Sequence, residues 1–424
     1  MGPAEHPSLQ MALCHLGQED LLNMEPFLLQ DAVEACGGRL FHADSQSRVQ
    51  AICTDSRQIK TGTLFLALKG DRFDAHHFLT PELVSRLTCA MVHRPSLPPG
   101  LPPFPMIDVS DVRQSMGRLA GWHRRRFDVP VVGITGSNGK TSTKAFLKAA
   151  LSSELDVLAS PASYNNDVGI PISLLQMESN HQVVIMEIGT NHPGEIEHLT
   201  RMVHPQIGII TSISGGHLGH FGSVDAVAAE KGWLAELLPT DGVFYMHADS
   251  PWFRVCCQRT SARIVSVGFR EDADWQISQC AMERDHTACV IRHRGLGVKV
   301  DFRIPIPGCH QALNAGMAFA TAFELGVSPE KIVQGLSVAK MPSMRMEMIQ
   351  TDKYTIWNDA YNANEDSVLA AMETFRKIST QGGRRIMLLG DLNELGDHAN
   401  EVYQRLADAA VNHAFDLLVG VGQG

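Results

Sequence analysis

The run Gly136-Ser-Asn-Gly-Lys-Thr141 holds the chain's clearest chemistry. It follows an apolar stretch, Val129-Pro-Val-Val-Gly-Ile-Thr135. It precedes a segment in which Phe146 and Ala150, and Leu147 and Leu151, recur at helical spacing. A buried strand, a glycine turn and a helix over 140–151 together make a holder for a nucleoside triphosphate. Backbone N–H groups of the turn and the helix N-terminus point at phosphate oxygens, and the helix dipole favours negative charge there. Lys140 would neutralise the β- and γ-phosphates, and the Thr141 hydroxyl would sit on Mg²⁺. Gly136, Ser137, Asn138, Gly139, Lys140, Thr141 and Ser142 are the candidate contacts. The generic loop has a glycine five residues before Gly139; here that position is Ile134.

Other residues could add charge or ligands to such a loop. Glu187 sits near the carboxyl end of an expected strand over 182–189, and open parallel sheets bind ligands at the carboxyl ends of their strands. A carboxylate there suits Mg²⁺, which takes oxygen ligands; a strand-end glutamate facing solvent would read the same. His217, in Ser214-Gly-Gly-His-Leu-Gly-His-Phe-Gly222, leaves the same sheet edge, although a lone histidine in a glycine loop is usually only a loop residue. Lys231 lies in a helix expected from about Val224, where a solvated lysine is the plain reading. His310 and Asn314 are four residues apart and share a helix face. Asn314 could read adenine through one donor and one acceptor, and a cap with a surface amide fits equally well. Arg345 and Asp359 flank the first strands of the last segment, where they would face phosphates and ribose hydroxyls.

The elements that must position these residues follow from pattern. A chain of 424 residues exceeds one core, and 44% hydrophobic with 19% charged residues is ordinary for a globular protein. No apolar run is long enough to cross a bilayer. Residues 1–23 lack the parts of a secretory signal and are expected to form a disordered extension before Met24. The net charge of −10 argues against a nucleic-acid partner. Nine cysteines without a Cys-x-x-Cys spacing read as reduced cytosolic thiols, with Cys256-Cys257 packed in a strand.

Three domains are expected, over 24–105, 106–340 and 341–424. The proline-rich run Pro95-Ser-Leu-Pro-Pro-Gly-Leu-Pro-Pro-Phe-Pro105 reads as a linker or domain edge. Strands over 182–189, 206–213 and 242–247 alternate with helices, which implies a parallel sheet covered on both faces. From 263 to 305 short strands take over, as an antiparallel insert. In the last domain strands over 354–358, 385–389 and 415–419 alternate with helices over 367–378 and 400–413. The chain then stops at a strand-to-helix turn, so this α/β domain is expected to be incomplete and to expose apolar sheet surface.

These motifs in combination resemble the Mur ligases, the ATP-dependent amide ligases that build the peptidoglycan peptide. The resemblance rests on Thr54-Asp-Ser-Arg57, Gly62-Thr-Leu-Phe-Leu-Ala-Leu-Lys-Gly70, the phosphate loop and Asn165-Asn-Asp-Val-Gly-Ile-Pro171. It extends through Met186-Glu-Ile-Gly-Thr-Asn-His-Pro-Gly-Glu195, Asp359-Ala-Tyr-Asn-Ala-Asn364 and Gly390-Asp-Leu-Asn-Glu-Leu-Gly396. The last two are similar to the branch that adds a dipeptide, and the Asp-Asn-Pro-Arg run of the diamino-acid-adding branch is absent.

The resemblance implies an α/β fold of three domains: a small N-terminal UDP-substrate domain, a central phosphate-loop ATPase domain and a Rossmann-like C-terminal domain. It implies a cytoplasmic monomer acting on ATP, UDP-N-acetylmuramoyl-tripeptide and D-alanyl-D-alanine, with two Mg²⁺ ions. Thr141 and Glu187 would hold one ion, and Glu187, His217 and a carbamylated Lys231 the other. Lys140 would serve catalysis, Asn314 would face adenine, Arg345 the phosphates and Asp359 the ribose. Ser56 and Arg57 would lie near the UDP-sugar, with Asn165 and Asn166 near the acceptor substrate.

Five positions depart from the family pattern. Ser163 and Gln311 stand where relatives carry asparagine, Trp233 where they often carry glutamate, Glu365 where proline is common, and Tyr403 where histidine is frequent. Other amino-acid-adding Mur ligases, a folylpolyglutamate synthetase-like enzyme and a non-catalytic nucleotide-binding paralogue are the alternatives.

Overall fold

The computed structural model describes residues 22–70, 73–216, 218–378, 382–393, 395–412 and 415–422. Residues 1–21 of the expected extension lie outside these. The chain forms two compact units: one reaching to Val129 together with Ser163–His181, the other Pro130–Ala162 together with the chain from Gln182 onward.

The first unit holds a six-stranded sheet. Its strands are β1 (Leu22–Leu28), β2 (Arg39–Phe41), β3 (Arg48–Cys53), β4 (Thr63–Leu66), β5 (Cys89–Val92) and β6 (Met106–Asp108), in the order β1-β3-β4-β5-β6-β2. Strands β3 to β6 run parallel, and antiparallel β1 and β2 close the two edges. Every residue of β4 and β5 is buried, as parallel strands covered on both faces require. The proline-rich run is not a linker. It connects β5 to its neighbour β6, and Phe104, Leu97 and Leu101 between the prolines pack into the core beneath it. The boundary expected at 105/106 therefore falls inside this sheet, and the unit continues through the helix Val112–Arg124.

The segment Ser163–His181 joins this unit through specific pairs. Asp167 pairs with Arg113, and His123 Nε2 donates to the Met177 carbonyl at 3.0 Å. Burial pushes His123 down to about 4, so the ring is neutral and its other nitrogen accepts from Arg126.

The second unit is built on a nine-stranded sheet: β7 (Val131–Thr135), β8 (Val157–Ala159), β9 (Val183–Glu187), β10 (Ile207–Ile210), β11 (Val243–His247), β12 (Arg263–Gly268), β13 (Trp275–Met282), β14 (Thr287–His293) and β15 (Lys299–Ile304). The order is β15-β14-β13-β12-β11-β10-β7-β9-β8. The expected antiparallel insert is instead a continuation of this sheet. Strands β12 and β13 extend it in parallel, and antiparallel pairing is confined to β13–β14 and β14–β15, so that β14 alone is reversed in this end of the sheet. Side chains explain the continuity: Val265, Val267, Trp275 and Ile277 share one apolar core with Val132, Ile134 and Phe146. Helix Lys140–Leu151 forms as read from sequence and packs against helix Cys309–Glu324. Cys256-Cys257 ends a short helix, Phe253–Cys257, rather than sitting in a strand. The described cysteines are free thiols, and no described helix is long and apolar enough to cross a membrane.

The last part of this unit holds two small sheets. Strands β16 (Glu347–Gln350) and β17 (Thr355–Asn358) form an antiparallel hairpin, and β18 (Ile386–Gly390) and β19 (Leu417–Val421) a parallel pair. Met387 and Leu389 join the core made by Val368, Met372, Val402 and Leu406 of the two covering helices. In β18 the period of two leaves Ile386 and Leu388 exposed, and Leu417, Leu418 and Val421 of β19 are exposed as well.

Phe319 anchors the large core, fully buried, with its ring centroid 5.5 Å from that of Trp275. Phe319→Ala is expected to destabilise this unit by about 3–5 kcal/mol. Urea unfolding followed by fluorescence measures it, and a loss below about 1 kcal/mol would contradict this placement of the core.

Candidate active site

The phosphate loop leaves β7 between its two parallel neighbours, β9 and β10. Ile134 lies in register with Glu187 on one side and Ile209 on the other, fully buried in the core. The position of the generic loop's first glycine is therefore inside the sheet, and the turn begins later, at Gly136. A side chain at Gly136 would collide with Thr211 Oγ1 and come within 3.0 Å of the Ser212 N–H. Gly139 has φ of +85°, a left-handed conformation, and a Cβ there would sit 2.5 Å from Asn314 Oδ1. No side chain caps the helix that starts at Lys140, so its first-turn N–H groups remain available to an anion.

The stretch after β10 holds the loop in shape. Ser137 N donates to Ser212 O (2.9 Å) and Asn138 N to Ser212 Oγ (2.9 Å), while Asn138 O accepts from Thr211 Oγ1 (2.5 Å). Lys140 Nζ folds back to donate to the carbonyl of Gly136 at 2.7 Å. Loss of hydration lowers its pKa; Arg345 and Lys144 add to the fall, and Glu187 opposes it.

Glu187 is the anion at the centre of the site, almost fully buried. Its Oε1 accepts from Thr141 Oγ1 at 3.2 Å, and Lys144 Nζ lies 2.9 Å from Oε2. Lys144 also donates to Pro161 O at 3.0 Å. Lys144 was not read from the sequence, yet a signal existed: it stands four residues after Lys140 and so shares its helix face. The Thr141–Glu187 oxygen pair fits Mg²⁺, which takes hard oxygen ligands beside phosphate and water. Among the described residues no cluster of three His, Cys, Asp or Glu side chains is gathered for a metal, and His217 lies outside them.

Lys231, the last residue of helix Val224–Lys231, is buried rather than solvated. Desolvation, helped by repulsion from Lys140, brings its pKa down to about 7, against a smaller pull from Glu230. Glu230 fixes this helix in place. Its carboxylate accepts from Gly194 N and Ile196 N, both at 2.8 Å, and so caps the helix Glu195–Val203, whose own N-cap is a glycine.

Asn314 lies against Gly139, its amide donating to Gln311 Oε1 at 3.1 Å. Its helix neighbour His310 is pushed down to about 4 by burial and stays neutral. The Arg345 guanidinium stacks over the Tyr361 ring at 4.2 Å, and Asp359 Oδ1 accepts from Met346 N at 3.0 Å. Ser56, Arg57, Asn165 and Asn166 belong to the first unit. Arg57, largely exposed, forks onto Asp55 (Nε to Oδ1, 2.9 Å) in the turn Ser56–Gln58. Asn166 Oδ1 accepts from Val168 N and Gly169 N in the turn that leads into the helix Gly169–Leu174.

The departures from the family pattern have local partners. Gln311 holds Asn314, Glu365 pairs with Arg405 (Nη2 to Oε2, 2.8 Å), and Tyr403 Oη accepts from Leu392 N at 2.9 Å. Trp233 lies 5.3 Å beneath the Arg259 guanidinium. Ser163 has φ of +67°, a conformation that asparagine tolerates better than serine.

Gly139→Ala should weaken nucleoside triphosphate binding by at least about tenfold, since the new methyl group displaces Asn314 and strains the turn. Calorimetric titration measures this, and unchanged affinity would refute the assigned loop.

Comparison with known proteins bears on the whole chain. Residues 134–322 match the Mur ligase middle domain and residues 344–423 the Mur ligase, glutamate ligase domain. The UDP-N-acetylmuramoyl-tripeptide–D-alanyl-D-alanine ligase of Escherichia coli is 32% identical over 406 residues, covering 93% of this chain and 86% of that protein. The ligase of the same name from Bacillus subtilis is 31% identical over 368 residues, covering 87% of this chain and 78% of its own. A crystal structure of MurF from Acinetobacter baumannii superposes with a TM-score of 0.87 at 32% identity, covering 95% of this chain and 87% of that one. The α/β architecture and the two matched domains are thus those of a known lineage, and the chain belongs to the Mur ligase family.

Proposed function

We propose that this chain is an ATP-dependent amide ligase that joins D-alanyl-D-alanine to UDP-N-acetylmuramoyl-tripeptide, as a cytoplasmic monomer in peptidoglycan precursor synthesis. The observation that carries the reading is the grouping of Lys140, Thr141, Glu187 and Lys144 around an uncapped helix N-terminus, with a buried Lys231 brought down to about 7.

The γ-phosphoryl group of ATP passes to the terminal carboxylate of the tripeptide. The amine of D-alanyl-D-alanine attacks the acyl phosphate, and the tetrahedral intermediate expels phosphate. Phosphoryl transfer needs little covalent help, so the protein acts by positioning and neutralising charge. Lys140 and the first-turn N–H groups meet the β- and γ-phosphates, and Arg345 adds positive charge beside them. Thr141 and Glu187 would hold one Mg²⁺, and Glu187, His217 and a Lys231 carbamate would hold the other; bound there, the ions would supply charge neutralisation at the transferring group. Asn314 faces adenine, Asp359 the ribose, Ser56 and Arg57 the UDP-sugar, and Asn165 and Asn166 the acceptor.

Lys231 suits carbamylation. An amine must be neutral to attack CO₂, and burial supplies the neutral form near pH 7. The product is an anionic oxygen ligand, where an ammonium would repel a cation.

ADP release decides the substrate. With UDP-N-acetylmuramoyl-tripeptide and Mg-ATP, D-alanyl-D-alanine is expected to stimulate release strongly and single amino acids only weakly; the reverse order overturns the assignment. Carbon-13-labelled CO₂ should give one carbamate signal that Lys231→Ala abolishes, together with a rate loss of about 10²-fold or more. A labelled signal surviving in Lys231→Ala would count against the carbamate.

A further inference from the structure

The phosphate loop is tied to the last segment of the chain by a contact that the mechanism above does not use. Asn138 Nδ2 donates to Asn364 Oδ1 at 3.1 Å, and Asn364 Nδ2 donates back to Asn138 Oδ1 at 2.8 Å, across 226 residues of sequence. Both ends are fixed. The Asn138 backbone is held by the hydroxyls of Thr211 and Ser212. Asn364 is the N-cap of the helix Glu365–Lys377, its Oδ1 accepting from Ser367 N at 3.0 Å.

That cap also sets the orientation of the pair. An N–H must point at an oxygen, so the Ser367 amide decides which atom of the Asn364 side chain faces it. The remaining NH₂ group of Asn364 then requires an acceptor, and Asn138 presents its oxygen. A serine at 364 could still cap the helix, but it could not complete the two-way amide pair.

We propose that Asn138 and Asn364 are a positioning pair that seats the last segment on the phosphate loop, on the ligase reading given above. Asn138 lies within the candidate phosphate-binding turn, two residues before Lys140. Asn364 closes the run that begins at Asp359 and contains Tyr361, on whose ring Arg345 stacks. Arg345 already acts on the charge of Lys140. The pair therefore sets how the segment bearing Arg345 and Asp359 meets a nucleotide in the loop.

A double-mutant cycle tests this on the full chain, with Asn138→Ala, Asn364→Ser and both together. Binding of a non-hydrolysable ATP analogue is measured by calorimetry. Each single change is expected to weaken binding about tenfold, and the double change no more than either single one, because all remove the same interaction. Asn364→Ser keeps the helix cap, so its melting temperature should stay at the wild-type value. In turnover, KM for ATP should rise while KM for UDP-N-acetylmuramoyl-tripeptide is unchanged. Wild-type analogue affinity in Asn364→Ser, or losses that multiply in the double variant, would overturn the proposal. The calorimetric cycle needs no acceptor amine, so it decides the pair even where the ADP-release assay rejects the ligase reading.

Discussion

The site depends on one buried carboxylate among several lysines. Glu187 is nearly inaccessible, with Lys144 2.9 Å away and Thr141 donating to its other oxygen. Lys140 feels Glu187 directly, while Lys231 feels Lys140 and Glu230. Glu187 alone cannot balance Lys140 and Lys144 out of water, where the cost of burying a charge is several kcal/mol per ion, and the pull of Glu230 on Lys231 is smaller than that lysine's loss of hydration. The chain relieves the excess in two ways. Lys140 rests on a loop carbonyl, and Lys231 sheds its proton near pH 7. The remaining positive charge at an uncapped helix N-terminus is a standing preference for phosphate. The same balance fits the proposed carbamylation, because a neutral buried lysine can take up CO₂ and become an anion.

The scaffold serves this arrangement through register. Ile134, Glu187 and Ile209 stand side by side on three parallel strands, so the loop, the carboxylate and the stretch after β10 leave one sheet edge together. Glu230 and Lys231 illustrate a division of labour between neighbours. Glu230 spends its carboxylate on a helix N-terminus, and that fixes the helix from which Lys231 enters the site.

Local features were legible in the sequence and distant pairings were not. Apolar run, glycine turn and helical period together defined β7, the loop and the helix Lys140–Leu151, because each is set by neighbours within a few residues. Glu187 was found from its place at a strand end. Lys144 was missed because its partner comes from another strand, and the Asn138–Asn364 pair because 226 residues separate its members. The strands over 263–305 read as an insert because period alone does not tell which edge a strand joins; shared burial of Val267, Trp275 and Ile277 settles it. The proline-rich run looked like a linker by composition, whereas its few apolar residues anchor it in a core. The plain reading of Lys231 as solvated failed for a similar reason: its helix buries the face that carries it.

Nucleotide binding by Glu187→Gln, with and without Mg²⁺, tests the central claim most directly. If Glu187 is the anion that both restrains the lysines and holds the cation, removing its charge has opposite effects in the two conditions. Without Mg²⁺ the variant should bind ATP more tightly than the wild type, since Lys140 and Lys144 lose their counter-charge. With Mg²⁺ it should lose most of the gain that the wild type shows, a difference of about tenfold or more. Weaker binding in both conditions, or an undiminished Mg²⁺ gain, would contradict the account.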